Sequence, residues 1–184
     1  MTQSALILID IQNDYFGDGR WPVDGMKRAA ANAARLLARA RETGQVIIHI
    51  RHEIPSDAAP FFRPGSQGAE IHGSVAPIKG EKVILKHRPN SFQGTSLHQD
   101  LQAAGIPDLT LCGAMSQMCV DATTRAAVDL GYQVTVIEDA CGAKEQQFNG
   151  VTVAAAQVHA AFMAPLAMSY ARVIGCDDYL AAAD

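Results

Sequence analysis

The stretch Ala5-Leu6-Ile7-Leu8-Ile9-Asp10 decides the fold. Five consecutive apolar residues with no polar alternation suit a strand covered on both faces, the habit of parallel sheets. Working outward, the chain repeats one unit. Residues 24–43 are rich in Ala, Leu and Arg and are followed by Gly44, which predicts a helix capped by Asp24 and closed by Gly44. Further strands are expected at 45–50, 82–85, 109–112, 133–137 and 171–174. Further helices are expected from Thr95 or Ser96 to 104, over 119–130, from 149 to about 163, and in a short tail. Strands alternating with helices give the α/β class, a three-layer α-β-α sandwich around a six-stranded parallel sheet of Rossmann-like type. Ligands of such sheets bind beyond the carboxyl ends of the strands, near the point where strand order reverses.

Residues 51–80 break the alternation, with prolines at 55, 60, 64 and 77 and glycines at 65, 68, 73 and 80. Irregular stretches of that length are uncommon and often functional, so a lid or binding loop stands beside a plain surface insertion. The length of 184 residues fits a single domain, 1–184. A content of 48% hydrophobic and 18% charged residues is that of a globular chain, not a disordered one. The net charge of −4 and the lack of a basic stripe argue against nucleic acid as a partner. The first apolar run is short, lacks a basic flank and is interrupted by Asp10, unlike a secretory leader. No run approaches the roughly 18 apolar residues that would span a bilayer. The expectation is a cytoplasmic protein with no membrane partner. The four cysteines, at 112, 119, 141 and 176, form no C-x-x-C pair and read as free thiols in a reducing compartment.

Several familiar sites are missing. Gly17-Asp-Gly19 lacks the third glycine of a dinucleotide fingerprint, and there is no P-loop and no G-x-S-x-G elbow. His49 and His52 have a faintly ligand-like spacing, but residues three apart on a strand face opposite sides and do not readily share one metal. Neither a metal nor a cofactor is expected.

Three residues can carry chemistry. Asp10 closes the first buried strand, where an unpartnered carboxylate is costly. Lys86 follows the apolar run 83–85 at the same edge of the sheet. Cys119 follows the fourth strand and opens a helical run, and a thiol at a helix start beside a lysine is expected to have a lowered pKa. Backbone N–H groups at that helix start can hold an oxyanion. The other three cysteines lie within or just after strands with no evident basic partner.

These residues sit in motifs that resemble the isochorismatase-like family of cysteine hydrolases. Leu8-Ile-Asp10-Ile-Gln-Asn-Asp14-Tyr-Phe16 resembles its opening motif. Lys86-His-Arg-Pro-Asn-Ser91-Phe92, with Thr95 after it, resembles its lysine segment, and Gly113 through Val120 its nucleophile segment. The order and spacing match over nearly the whole chain. Ser116 stands where many members have Thr, which keeps the hydroxyl.

The resemblance implies a triad of Asp10, Lys86 and Cys119, and a cis peptide between Ala114 and Met115 that helps the N–H groups of Met115 and Cys119 form an oxyanion hole. It also implies attack by the Cys119 sulfur on an amide or carbamoyl carbon and a thioester intermediate. Asp10 would serve as proton acceptor, then as donor to the leaving amine, and would activate the hydrolytic water. Burial and Lys86 pull the pKa of Asp10 in opposite directions. The nicotinamidase branch carries an Asp-x-His metal motif that Ile50-Arg51-His52-Glu53 lacks. The isochorismatase branch proper cleaves a vinyl ether and needs no thiol. The presence of Cys119 favours a C–N bond, with a vinyl-ether hydrolase or a non-catalytic binding protein of the same fold as the alternatives. Phe16, Trp21, His87 and Ser91 are the expected substrate contacts, and Phe61 and Phe62 are further aromatic candidates for a pocket wall. A homodimer or higher homo-oligomer is expected by analogy, with residues 151–163 as one candidate interface.

Overall fold

The computed structural model describes residues 3–182. Its centre is a six-stranded parallel sheet in the order β3-β2-β1-β4-β5-β8. The strands are β1 (Ser4–Ile9), β2 (Val46–His52), β3 (Lys82–Lys86), β4 (Asp108–Ala114), β5 (Gln133–Gly142) and β8 (Arg172–Ile174). The chain starts in the middle, builds out to β3, then returns to add β4 on the other side of β1. The strand order therefore reverses between β1 and β4, and the ends of these two strands mark the expected ligand edge.

The expected three layers are present. Along β1 the side chains alternate. Leu6 and Leu8 enter the core under α1 (Met26–Thr43), whereas Ala5, Ile7 and Ile9 enter the core under α2 (Leu97–Ala103), α3 (Asp121–Asp129) and α4 (Ala155–Ser169). Each buried Leu or Ile contributes about 1.5–3 kcal/mol. The short helix α5 (Cys176–Ala181) packs beside α1.

Gly113 sets the closest approach in the sheet. A Cβ there would collide with the Ile9 carbonyl, and its φ of 128° lies where side chains rarely go. Only glycine lets β4 lie so tightly on β1 at the edge where Asp10 emerges.

Four local expectations are corrected. The helix expected from residue 149 is a hairpin, β6 (Gln146–Phe148) and β7 (Val151–Val153), and α4 begins at Ala155 and runs on through Pro165. Asn149 and Gly150 have φ of 48° and 78°, the doubly positive pair of a tight hairpin turn, and the β-branched residues 151–153 favour a strand over a helix. Helix α1 starts after Gly25 in the left-handed region, with no side-chain cap from Asp24. Strands β4 and β5 run longer than the apolar runs that announced them. The helix expected at Cys119 opens instead with a π-helical turn, Ser116–Val120, before α3 begins.

The irregular stretch after β2 is packed. Ala59, Phe62, Ala69 and Val75 are buried in the core. The Gln12 side chain ties it to β2, donating to the carbonyls of His52 and Ala69 at 2.8 Å each and accepting from the His52 N–H at 2.8 Å. Asp14 accepts from the backbone N–H of Phe62 at 2.6 Å. No helix among the described residues is long and apolar enough to cross a membrane.

Candidate active site

The sheet register brings the site together. Ile9 pairs with Ile50, so Asp10 emerges just beyond that pair, and His52 pairs with Lys86 across β2 and β3. In the row Ile48, Ile50, His52 and in the row Ile84, Lys86, the apolar members face the core that holds Cys119. Residues two apart share a face, so the polar ends of both rows face the π-helical turn after β4. Asp10 itself leaves β1 with φ of 51°, while its N–H still donates to the Ile50 carbonyl at 3.1 Å. Such a conformation outside glycine costs on the order of 1–3 kcal/mol and gathers at functional sites.

Lys86 is the hub. Its Nζ lies 2.7 Å from Asp10 Oδ2 and donates to Cys119 Sγ at 3.2 Å and to the Arg88 carbonyl at 3.1 Å. The fourth neighbour is His52 Nδ1, at 3.1 Å. His52 Nδ1 also stands 3.6 Å from Asp10 Oδ2 and 4.0 Å from Cys119 Sγ. Asp10 and Lys86 are sealed from solvent, and Cys119 is nearly so. Asp10 meets Lys86 as a close ion pair, and its Oδ1 has no hydrogen-bond partner among the described residues.

Burial alone would raise the Asp10 pKa, but Lys86 and His52 together outweigh it and hold the carboxyl below its usual range. Burial works against the Lys86 charge, yet Asp10 and Cys119 overcome it, so the amine stays an ammonium. Cys119 goes the other way. Burial and then the Asp10 charge push its thiol up, and Lys86 offsets only part of this. The expectation of a lowered thiol pKa is thus corrected for the resting site, because the helix start is fully desolvated and an anion sits beside the sulfur.

The structure gathers Asp10, Lys86 and Cys119, and the peptide between Ala114 and Met115 is cis. The expected substrate contacts are not gathered around them in the same way. His87 is exposed and its Nδ1 is held by the Glu53 carbonyl at 2.8 Å. Ser91 is buried, with its hydroxyl bonded to Thr123 at 2.8 Å. Phe16 stacks on His72 at 3.7 Å, and Trp21 on Phe61 at 4.8 Å. A second aromatic pair lies closer. Phe62 has its ring 5.8 Å from that of His52 and 4.5 Å from that of Tyr15. Burial, with the charges of Asp10 and Asp14 behind it, pushes the Tyr15 hydroxyl well above its usual range, so it remains a neutral phenol.

A family model described as the isochorismatase domain matches residues 4–169. The chain belongs to the isochorismatase family. Among isochorismatase-family proteins, YddQ of Bacillus subtilis is 46% identical over 96% of this chain and 98% of its own length. A chain from Oleispira antarctica described as an isochorismatase hydrolase has a crystal structure that superposes with a TM-score of 0.95, at 50% identity, covering 98% of this chain and 97% of that one. A maleamate amidohydrolase of Pseudomonas putida is 31% identical over 75% of this chain and 71% of its own length.

His52 was weighed in the sequence only as a metal ligand. With Asp10 and Cys119 it forms a group whose ligand atoms lie within 4.8 Å of one another, compact enough for a metal ion, and the Lys86 ammonium is the cation that stands among them. The missed signal was strand length. Extending β2 by two residues beyond Ile50 puts His52 level with Lys86 at the carboxyl edge.

Proposed function

We propose that this isochorismatase-family chain is an amidohydrolase that cleaves a C–N bond of a small molecule through a thioester on Cys119. The observation that carries this reading is the dry cluster in which one ammonium touches both a carboxylate and a thiol, at 2.7 and 3.2 Å. The amidohydrolase among its relatives supports the choice of bond.

In this reading the thiol stays protonated until substrate arrives. Sγ then forms a bond to the amide carbon as its proton passes to Asp10. The backbone N–H groups of Met115 and Cys119 hold the oxyanion. Asp10 hands the proton to the leaving nitrogen as the C–N bond breaks, and returns to a carboxylate paired with Lys86. Water then cleaves the thioester. Tyr15 and Phe62 supply an apolar wall that keeps the cluster dry, which strengthens every charge interaction inside it.

The test is turnover of a panel of small amides and carbamoyl compounds by the wild type and by Cys119→Ala, with intact-protein mass spectrometry. The expected result is an acyl adduct on wild-type Cys119 and no turnover by the variant. Undiminished turnover by the variant would sink the reading.

A further inference from the structure

We propose that His52 is the base that activates the hydrolytic water in the second half of the reaction. The proposal rests on the covalent reading above and assigns a step that the family resemblance gives to Asp10.

The argument starts from a count. An ammonium has three N–H donors. Lys86 Nζ has four acceptors in reach: Asp10, Cys119, the Arg88 carbonyl and His52 Nδ1. One acceptor is surplus. The Asp10 contact is the shortest at 2.7 Å and pairs opposite charges, so one of the other three partners is left without a donor. In this role the ring is neutral, with its lone pair on the Nδ1 that faces the ammonium and its proton on Nε2. A base aimed at Cys119 is therefore present in the cluster beside the carboxylate.

Exposure points the same way. The side chains of Asp10 and Lys86 are 0% exposed, whereas that of His52 keeps 11%. Of these three side chains, His52 is the one that solvent touches. Nδ1 and Sγ are 4.0 Å apart, so the ring reaches the atom that carries the acyl group. A water about 2.8 Å from Nδ1 can stand about 3.3 Å from a carbonyl carbon bonded to Sγ. Asp10, by contrast, is sealed from solvent and is again a carboxylate paired with Lys86 at 2.7 Å.

The step balances. The water oxygen bonds to the acyl carbon, one water proton moves to Nδ1, and the C–S bond breaks. The proton then passes from Nδ1 to the departing sulfur, which restores the thiol and the neutral ring. Among the described residues the His52 side chain makes no hydrogen bond outside the cluster, since Gln12 holds only its backbone, so replacing the ring leaves that anchor in place.

The probe is p-nitrophenyl acetate, which acetylates a thiol as p-nitrophenolate leaves. In stopped flow the burst reads acylation and the steady state reads hydrolysis of the acetyl thioester. For His52→Gln and His52→Asn the expected result is a burst like that of the wild type, hydrolysis slowed by about 10²-fold or more, and acetyl-Cys119 building up in the mass spectrum. Added imidazole is expected to speed hydrolysis in His52→Ala, which a merely structural role would not allow. Burst and steady state falling together would overturn the proposal, because His52 would then only position Lys86. Unchanged turnover with no adduct accumulating would overturn it too. No adduct on Cys119 even in the wild type would overturn the covalent reading, and this proposal with it.

Discussion

Strand β2 carries a histidine to each face, and each meets an acid and a base. On the α1 side, His49 Nε2 lies 3.0 Å from Glu81 Oε2, and Arg41 donates to the same carboxylate at 2.7 and 3.0 Å. The Ile78 N–H donates to it as well, at 2.9 Å. On the other side, His52 lies beside Asp10 and Lys86. The residue types match, but the surroundings do not. Both Glu81 oxygens are hydrogen-bonded, and Arg41 reaches the surface with 32% of its side chain exposed. Asp10 is sealed, has one oxygen with no hydrogen-bond partner among the described residues, and shares its cation with a thiol. At the rim the carboxylate is satisfied on both oxygens, although His49 Nδ1 is buried with no hydrogen-bond partner among the described residues, and the cluster clamps the end of the 53–81 stretch onto β2 and α1. The sealed cluster holds a carboxylate and a thiol on one ammonium, with the carboxyl pushed down and the thiol up, and such perturbed titration marks functional sites.

The largest effect is expected where this contrast is sharpest. Cys119→Ala should lower kcat on a responsive amide by about 10⁴-fold or more, while Glu81→Gln leaves kcat unchanged in the same assay. A comparable loss from both would erase the distinction between the clusters. Next, Lys86→Met leaves the Asp10 carboxylate buried without its counter-charge and should cost about 3–5 kcal/mol in urea unfolding. Adding Asp10→Asn should recover most of that loss, because the stranded charge is then gone. If the double variant is no more stable than the single, the pair is not the coupled unit described.

A smaller effect is expected at the clamp. Glu81→Gln should cost about 1–2 kcal/mol near neutral pH through weakened hydrogen bonds. The hydrogen bonds from Arg41 lead in lowering the Glu81 pKa from its usual 4.5 to about 2. A depressed folded-state value stabilises above the unfolded value and loses that contribution as pH falls through the folded one. The gap between wild type and Glu81→Gln should therefore close between pH 4.5 and about 2. A pH-independent gap in denaturant titrations would count against it. The smallest effect lies outside both clusters. Gly150→Ala, at φ of 78°, should cost about 1 kcal/mol by thermal melting with activity intact.

The layers and the six parallel strands were legible in the sequence because both-face burial writes continuous apolar runs such as 5–9 and 133–137. The hairpin at Asn149-Gly150 was legible too, but a helical reading of the alanines after it prevailed over the turn pair. In the site, Asp10, Lys86 and Cys119 were legible because each ends or follows a strand at the carboxyl edge and stands in a recognisable motif. His52 was not. It lies two residues beyond the apolar run of β2, and its alignment with Lys86 exists only once β2 and β3 are in register. The direction of the Cys119 shift was not legible either, since a helix start and a lysine argue for a thiolate, whereas burial and Asp10 argue against one.

The sequence by itself determined the layers, the edge at which chemistry gathers and the three side chains that stand there, because periodicity and strand-end position are properties of neighbouring residues. Only the tertiary structure decided the fourth member of the cluster, the protonated state of the resting thiol and the depressed pKa of Asp10. Those depend on desolvation and on distances between strands far apart in the chain, and no local pattern carries either.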